Sequence, residues 1–243
     1  MNQLESLFPD VWNAHKSMLV SRALQGAKHQ YGVPTNHKLP LTRHNLAAVV
    51  AAYRLNPSHD DLLFTAQLLT GFDCLMRLAE LTWPDRLTLR DYRKVSMRHS
   101  VELLNDTISF WLPGHKSDHF FEGNRLIIHA GPEPNSYSHF HTYLASRDSN
   151  FCGRPELWLR ADGTIPPRSW FITRLHRFFP KSIAGQSMRA GGATSLVESG
   201  VAPNLIQASG RWTSDTFNRY VRKSPFLFEA LLIGRSSLHS DSV

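Results

Sequence analysis

Two arginines in this chain lie among apolar residues, where a charged side chain needs a partner. Arg77 lies within the segment CLMRLAEL and Arg189 within SMRAGGA. Burying an arginine is costly unless it meets an anion, and its planar fork can donate two hydrogen bonds at once to a phosphate. An internal ion pair, such as that of Arg77 with Glu80, would satisfy the same charge. Both interpretations stay open for each arginine.

Two further side chains could take part in phosphate chemistry, the phenol of Tyr220 and the amine of Lys116. Tyr220 lies among cations in the segment NRYVRK, and positive charge nearby favours the phenolate that would attack phosphorus. Lys116 lies in LPGHKSD, from which a mobile hairpin could deliver a proton to a departing oxygen. A half-buried helical tyrosine and a solvated loop lysine are the alternative interpretations.

Other patterns in the sequence fit known chemistry less well. Residues 185–188 (GQSM) begin like the nucleophile elbow of a serine hydrolase, but Arg189 replaces the required second glycine. His139 and His141 could bind a metal, but no cysteine or acidic partner stands at ligand spacing, which favours a helix surface. Residues 191–193 (GGA) allow close approach of another backbone, and tight helix packing explains them equally well.

The elements that must position these residues are mainly helical. Capping residues predict helices that begin after Thr42 and Ser58, the second continuing through Arg77 until Pro84 ends it. Further helices are predicted over about 8–30, 137–146, 167–179, 187–199, 203–209, 214–222 and 225–233.

The middle of the chain is rich in β-forming residues. Residues 101–104, 107–112 and 125–129 predict short strands of a small antiparallel sheet, with Lys116 in the last connection. The order of helices, sheet and helices favours an α+β fold, mainly α-helical. Residues 1–40 are predicted to form an N-terminal helix and linker, and residues 41–243 the main domain.

Composition narrows the class of protein. The 243 residues carry a formal net charge of +7, which favours a polyanionic partner, although a merely cationic surface would carry the same charge. The two cysteines form no CxxC pair, which disfavours a disulfide framework and fits a reducing compartment. No secretory signal is visible and no apolar stretch approaches the roughly 20 residues that span a bilayer, so no membrane partner is expected.

Taken in order, the segments around these residues resemble the catalytic domain of the tyrosine recombinase (phage integrase) family. The matching segments lie between residues 40 and 235. They are TGFDCLMRLAEL with Arg77, LPGHKSD with Lys116, QSMR with Arg189, and GRW followed by Tyr220. RAGGATSLVESGV and GRWTSDTFNRYVRK are most similar to recombinase domains of eukaryotic mobile elements, particularly fungal ones.

The resemblance implies that the chain cuts and rejoins DNA. Tyr220 would attack the scissile phosphate, leaving a 3′-phosphotyrosine and a free 5′-hydroxyl. Arg77 and Arg189 would bind the non-bridging oxygens and stabilise the transition state. Lys116 would protonate the departing 5′-oxygen, and Trp212 would donate its indole N–H to the phosphate and pack against the helix carrying Tyr220. No cofactor or metal is expected, because the guanidiniums supply the positive charge.

The remaining assignments follow from the same resemblance. Glu80 would orient Arg77. Gln186 stands where the family has a His or Lys and cannot carry a proton, which would slow the reaction by about 10²–10⁴-fold if that position does acid–base work. Trp212 and Tyr220 are also one residue closer together than in many members. The residues expected to contact DNA around the site are His115, His119, Arg211 and Arg219.

The implied partners are double-stranded DNA and further copies of the chain. The apolar helix predicted over residues 225–233 would be donated to a neighbouring protomer, and packing on its own domain is the alternative. Residues 1–40 would be a remnant of the family's helical core-binding domain. The DNA substrate and the fungal resemblance imply an intracellular, nuclear protein.

Two other functions stay open. One is a domesticated DNA-binding protein that has lost catalysis, which Gln186 and the short N-terminal region favour. The other is an enzyme similar to type IB topoisomerases, which would relax supercoils by closely related chemistry.

Overall fold

A computed structural model describes two compact units of the chain, residues 1–37 and residues 38–243. The described residues are 17–32, 38–114, 123–213, 217–218, 221, 227–229 and 231. In the first unit, helix α1 (Met18–Tyr31) begins at Ser17, whose hydroxyl accepts the N–H of Val20 at 3.2 Å. None of the residues of α1 is buried. The predicted N-terminal helix is confirmed from Met18, and its earlier part, 8–16, lies outside the described residues.

The second unit opens with two helices that start where the sequence predicts. Helix α2 (Arg43–Ala52) is capped by Thr42, whose hydroxyl accepts the N–H of Asn45 at 3.2 Å. Helix α3 (His59–Asp73) is capped by Ser58, whose N–H donates to the Asp61 carboxylate at 3.0 Å. In such capping boxes side chains satisfy N–H groups that the first turn leaves unpaired.

Helix α3 runs through the core of the unit. Every residue from Leu63 to Phe72 is buried, as expected for a helix covered on all sides. It packs against helices α5 (Ser136–Asn150) and α7 (Gly185–Glu198). The buried amide of Gln67 donates to the carbonyl of Leu81 at 2.7 Å, which ties α3 to the short helix that follows it.

One prediction about this region is wrong. Helix α3 ends at Asp73 and helix α4 (Leu78–Leu81) starts after four intervening residues, so Arg77 lies just before a helix and not inside one. Leu75 has a φ of 50°, a left-handed conformation that costs about 1–2 kcal/mol for a residue with a side chain. The fully buried side chain of Leu75 offsets that cost through tertiary packing, and no local signal marks the break.

The predicted antiparallel sheet is confirmed, with strand order β1-β2-β3. The strands are β1 (Glu102–Leu103), β2 (Thr107–Leu112) and β3 (Asn124–His129). Thr107 pairs with His129 and Leu112 with Asn124, so residues 113–123 connect the last two strands. Lys116 lies in the part of this connection, 115–122, that is outside the described residues.

The helices after the sheet complete a mainly α-helical α+β fold, as predicted. They are α5 (Ser136–Asn150), α6 (Arg168–Leu175), α7 (Gly185–Glu198) and α8 (Pro203–Ser209). Short 3₁₀ turns at Leu87–Leu89, Tyr92–Lys94 and Arg98–Ser100 precede the sheet. Residues 217–218, 221, 227–229 and 231 are also helical. No described helix is both long and apolar enough to cross a membrane.

Buried apolar residues form a main core around α3, a smaller second core, and a third cluster of Val95, Leu159 and Ile165. The second core consists of Leu75, Ala193, Val197, Ile206, Trp212, Phe217 and Leu227. Val221 and Leu231 pack against it. In this single chain, the described part of the C-terminal apolar run therefore packs on its own domain.

Two glycines let α7 approach neighbouring backbone. A Cβ on Gly192 would collide with the carbonyl of Phe72, and one on Gly191 with the carbonyl of Leu41. The close backbone approach that the sequence allows is therefore present, and tight packing of α7 produces it. This packing holds α7 against the end of α3.

We expect Gly192→Ala to lower the free energy of unfolding by about 1–3 kcal/mol, because backbone cannot move aside for the added methyl group. Gly153→Ala is the matched control, since a Cβ there has nothing within 4 Å, and it should change stability by less than about 0.5 kcal/mol. Denaturant unfolding followed by tryptophan fluorescence measures both. Equal stability of the two variants would contradict the packing of α7.

Candidate active site

Four charged residues meet where α4, α7 and the turn after α8 come together. We call Arg77, Glu80, Arg189 and Arg211 the arginine cluster. The side chain of Glu80, 5% exposed, lies between two of the arginines. One carboxylate oxygen accepts Nη1 of Arg77 at 3.0 Å, and the other accepts the backbone N–H of Arg77 at 2.9 Å and Nη2 of Arg211 at 3.0 Å. One carboxylate therefore holds two guanidiniums.

Arg189 joins two turns of the chain. Its side chain is buried, and Nη1 donates to the carbonyl of Leu75 at 2.6 Å. Nη2 donates to the carbonyl of Gly210. Its guanidinium carbon lies 4.2 Å from the centre of the Trp212 ring, a cation–π contact. Arg189 thus fixes the turn after α3 against the turn after α8.

Close packing at two more glycines positions Arg189 and Trp212 in the cluster region. A Cβ on Gly185, the first residue of α7, would collide with the side chain of Leu78, the first residue of α4. A Cβ on Gly210 would overlap the ring of Trp212. The glycines bring α7 onto α4 and leave room for the indole over Arg189.

The three guanidiniums of the cluster all lie at one short segment, residues 75–80, which includes Arg77 itself. Nη2 of Arg211 lies 3.4 Å from the carbonyl of Leu75, which also accepts from Arg189. Arg77, at the end of that turn, is the most exposed of the three, with 25% of its side chain accessible. Three guanidiniums and one carboxylate leave a net charge of +2 in the cluster. A site of this kind favours an anion with several oxygens.

The strand that follows the connection containing Lys116 begins beside the arginine cluster. Residues 124–127 of β3 line a surface cleft together with Arg211, Ser209 and Cys74. The thiol of Cys74 lies 3.9 Å from the carbonyl of Ile127. Lys116 itself lies outside the described residues, as do His115 and His119.

Two further predicted site residues lie next to the cluster. Gln186 is exposed in the first turn of α7, three residues before Arg189, and residues at that spacing lie on the same side of a helix. Trp212 is buried, and its ring centre lies 5.6 Å from that of Phe217. Tyr220 and Arg219 lie outside the described residues, so their positions stay predictions.

Two residues near the cluster that could act as nucleophiles are poorly suited to it. Burial raises the pKa of the Cys74 thiol to about 12, and a thiol needs its ionised form to attack. Ser187 is fully buried, and its hydroxyl accepts the N–H of Ala184 at 2.9 Å. This geometry agrees with setting aside a serine hydrolase.

The alternative metal site at His139 and His141 also lacks support. In the described part of the chain, no three His, Cys, Asp or Glu side chains come together to hold a metal ion. His139 instead lies 3.4 Å from the carboxylate of Glu133.

The fold is that of tyrosine recombinase catalytic domains. XerH site-specific recombinase, in a post-cleavage complex with palindromic difH substrate, is similar with a TM-score of 0.56 and 14% identity over 79% of this chain and 52% of that chain. The Tn1549 transposon integrase with transposon right end DNA has a TM-score of 0.53 and 14% identity over 89% of this chain and 70% of that chain.

XerA recombinase has a TM-score of 0.50 and 12% identity over 82% of this chain and 68% of that chain. No family model matches the chain, and no curated protein matches its sequence. The chain spans about half the length of the XerH chain.

The surroundings of Arg211 were not predicted from the sequence, and its contact with DNA stays a prediction. The sequence assigns it to DNA contact around the site, whereas its side chain is only 6% exposed and is ion-paired with Glu80. It follows Gly210, and with a φ of 54° it is itself in a left-handed turn. No local pattern in the sequence indicates that this turn closes onto Glu80, 131 residues earlier.

Proposed function

We propose that this chain breaks and rejoins double-stranded DNA through a covalent 3′-phosphotyrosine at Tyr220. The arginine cluster is the observation that carries the proposal. It brings together Arg77 and Arg189, which are far apart in sequence, and gives the site a net charge of +2 suited to a phosphate. The fold supports it, because XerH and the Tn1549 integrase, which share this fold, were each solved with their DNA.

In the proposed cleavage step, the phenolate of Tyr220 forms a bond to phosphorus and the bond to the 5′-oxygen breaks. Lys116 donates a proton to that oxygen, so a 5′-hydroxyl leaves. Arg77 and Arg189 hold the non-bridging oxygens, whose charge grows in the transition state. Trp212 donates its indole N–H to the same phosphate. Attack of another 5′-hydroxyl reverses the step and rejoins the strand without a nucleotide cofactor.

Gln186 sets this site apart from the family pattern that the sequence resembles. Its exposed amide beside Arg189 can donate to or accept from a phosphate, but it cannot exchange a proton. We propose that this enzyme cleaves slowly for that reason. Loss of acid–base catalysis at one position typically costs about 10²–10⁴-fold in rate.

The C-terminal residues are proposed to assemble the enzyme on DNA. Leu227 is fully buried in the second core, beside Leu75 and Trp212 of the site. If residues 225–233 were exchanged between protomers, the same core would receive them from a neighbouring copy. Assembly would then be linked to the segment that contains Tyr220. This exchange is the proposed basis of a homo-oligomer.

The biological setting is proposed from the sequence resemblance alone. The segments around Arg189 and Tyr220 are most similar to recombinase domains of fungal mobile elements. We propose that the chain derives from such an element and acts in the nucleus.

Covalent capture from a pool of DNA tests the proposal without knowledge of the target. The protein would be incubated with nicked duplexes randomised around the nick, where loss of a short 5′-hydroxyl fragment traps the adduct. We expect a slowly formed, denaturation-resistant adduct, and peptide mapping should place its phosphate on Tyr220.

Other outcomes would favour the alternative functions. Sequence-specific DNA binding with no adduct after long incubation would contradict the proposal and indicate a domesticated DNA-binding protein. Relaxation of supercoiled plasmid without any sequence requirement would indicate an enzyme similar to type IB topoisomerases.

A further inference from the structure

Arg211 has unused hydrogen-bonding capacity inside the arginine cluster. Its Nε is buried and has no hydrogen-bond partner among the described residues. Among the described residues its Nη1 has two distant acceptors, the carbonyls of Cys74 and Ser209, each at 3.4 Å. The shortest hydrogen bond of its guanidinium within the described part of the chain is that of Nη2 with Glu80, at 3.0 Å.

This shortage of partners is unusual for a charged side chain that is only 6% exposed. A guanidinium carries five N–H donors, and a buried donor without an acceptor destabilises the structure. The backbone of Arg211 adds strain, because its φ of 54° is unfavourable for a residue with a side chain. Buried, unsatisfied donors and local strain together are typical of a site completed by a ligand.

Glu80 fixes the orientation of Arg211 relative to Arg77. Its two carboxylate oxygens separately bind Nη1 of Arg77 and Nη2 of Arg211. One buried carboxylate thus sets the spacing of two cations, leaving the Nε–H of Arg211 for another acceptor.

We propose that Arg211 is a third arginine that binds the scissile phosphate, with its Nε–H donating to a phosphate oxygen while Glu80 holds Nη2. This inference rests on the function proposed above and deepens it, because it assigns Arg211 to the reacting phosphate instead of to the DNA around the site. Glu80 is then a positioning residue for both Arg77 and Arg211. The third guanidinium supplies transition-state stabilisation in a site where Gln186 brings no proton.

A neutral phosphate analogue tests whether Arg211 acts on phosphate charge. The nicked duplex recovered by covalent capture would be prepared in two forms, one with the natural phosphate and one with a methylphosphonate at the scissile position. Arg211→Gln is expected to slow adduct formation on the natural duplex by about 10²-fold. On the methylphosphonate, which has no negative charge to stabilise, it should react at nearly the rate of the wild type.

The control removes an arginine of equal charge outside the cluster. Arg93 has a 73% exposed side chain and pairs with Asp91 at 2.9 Å, so Arg93→Gln should match the wild type on both duplexes. If Arg211→Gln does not fold, Arg211→Lys replaces it. Lysine keeps the charge beside Glu80 but lacks the Nε–H, and it should slow reaction on the natural duplex by about 10- to 100-fold.

Each remaining outcome would overturn the inference. Equal slowing of adduct formation on both duplexes would show that Arg211 only stabilises the fold. A wild-type rate for the Arg211 variants on the natural duplex would remove Arg211 from the phosphate site while the proposed function stands. If the wild type itself formed no adduct, the proposed function would fail, and this inference with it.

Discussion

Tyr220→Phe is expected to abolish covalent attachment to a nicked duplex and to leave DNA affinity unchanged. The substitution removes only the hydroxyl oxygen that would bond to phosphorus. The substitution keeps the aromatic ring itself. Adduct formation is measured by denaturing electrophoresis, and affinity by fluorescence anisotropy on an unnicked duplex of the same sequence.

Tyr137→Phe is the matched control for this experiment. The hydroxyl of Tyr137 donates to the carbonyl of Asn105 at 2.9 Å on the protein surface. Its loss should affect neither adduct yield nor affinity. An adduct of undiminished yield with Tyr220→Phe would show that another residue is the nucleophile.

The parts of the fold that the sequence predicts well depend on local interactions. The caps at Thr42 and Ser58 each join residues three positions apart, and such contacts can be read from a short segment. The hairpin of β2 and β3 likewise follows from two runs of β-forming residues with turn residues between them.

The break between α3 and α4 could not be predicted in this way. Leu75 adopts a left-handed conformation, although no glycine or proline occurs among residues 74–77 between the two helices. Its stabilising partners lie far along the chain, since the carbonyl of Leu75 accepts from Arg189, 114 residues away. A signal of that kind is absent from any short window of sequence.

In the candidate site, too, some features could be predicted from short segments of sequence, and others depend on contacts between distant residues. The order of the segments around Arg77 and Arg189 predicts, through the family resemblance, that these residues share a site. That Arg211 shares Glu80 with Arg77 depends on how the turn after α8 closes. The burial of Arg211 therefore became visible only in the structure.

Arg189→Lys is expected to reduce the rate of adduct formation by about 10²–10³-fold, even though the charge is kept. An ammonium group cannot reproduce the fork that reaches the carbonyls of Leu75 and Gly210 from beneath Trp212. The same loss should lower the free energy of unfolding by about 1–3 kcal/mol. The rates of adduct formation would therefore be compared at a temperature well below the unfolding midpoints of both the wild type and the variant.

Arg43→Lys is the matched control for Arg189→Lys, because it makes the same substitution outside the arginine cluster. Arg43 also lies over an aromatic ring, with its guanidinium carbon 5.3 Å from the centre of Phe72, and it pairs with Asp73 at 3.1 Å outside the cluster. Because Arg43 does not contact Glu80, its replacement should leave the rate of adduct formation close to that of the wild type. If Arg189→Lys reacted as fast as Arg43→Lys, positive charge alone would suffice at Arg189. The fixed geometry of its guanidinium would then have no part in holding the phosphate.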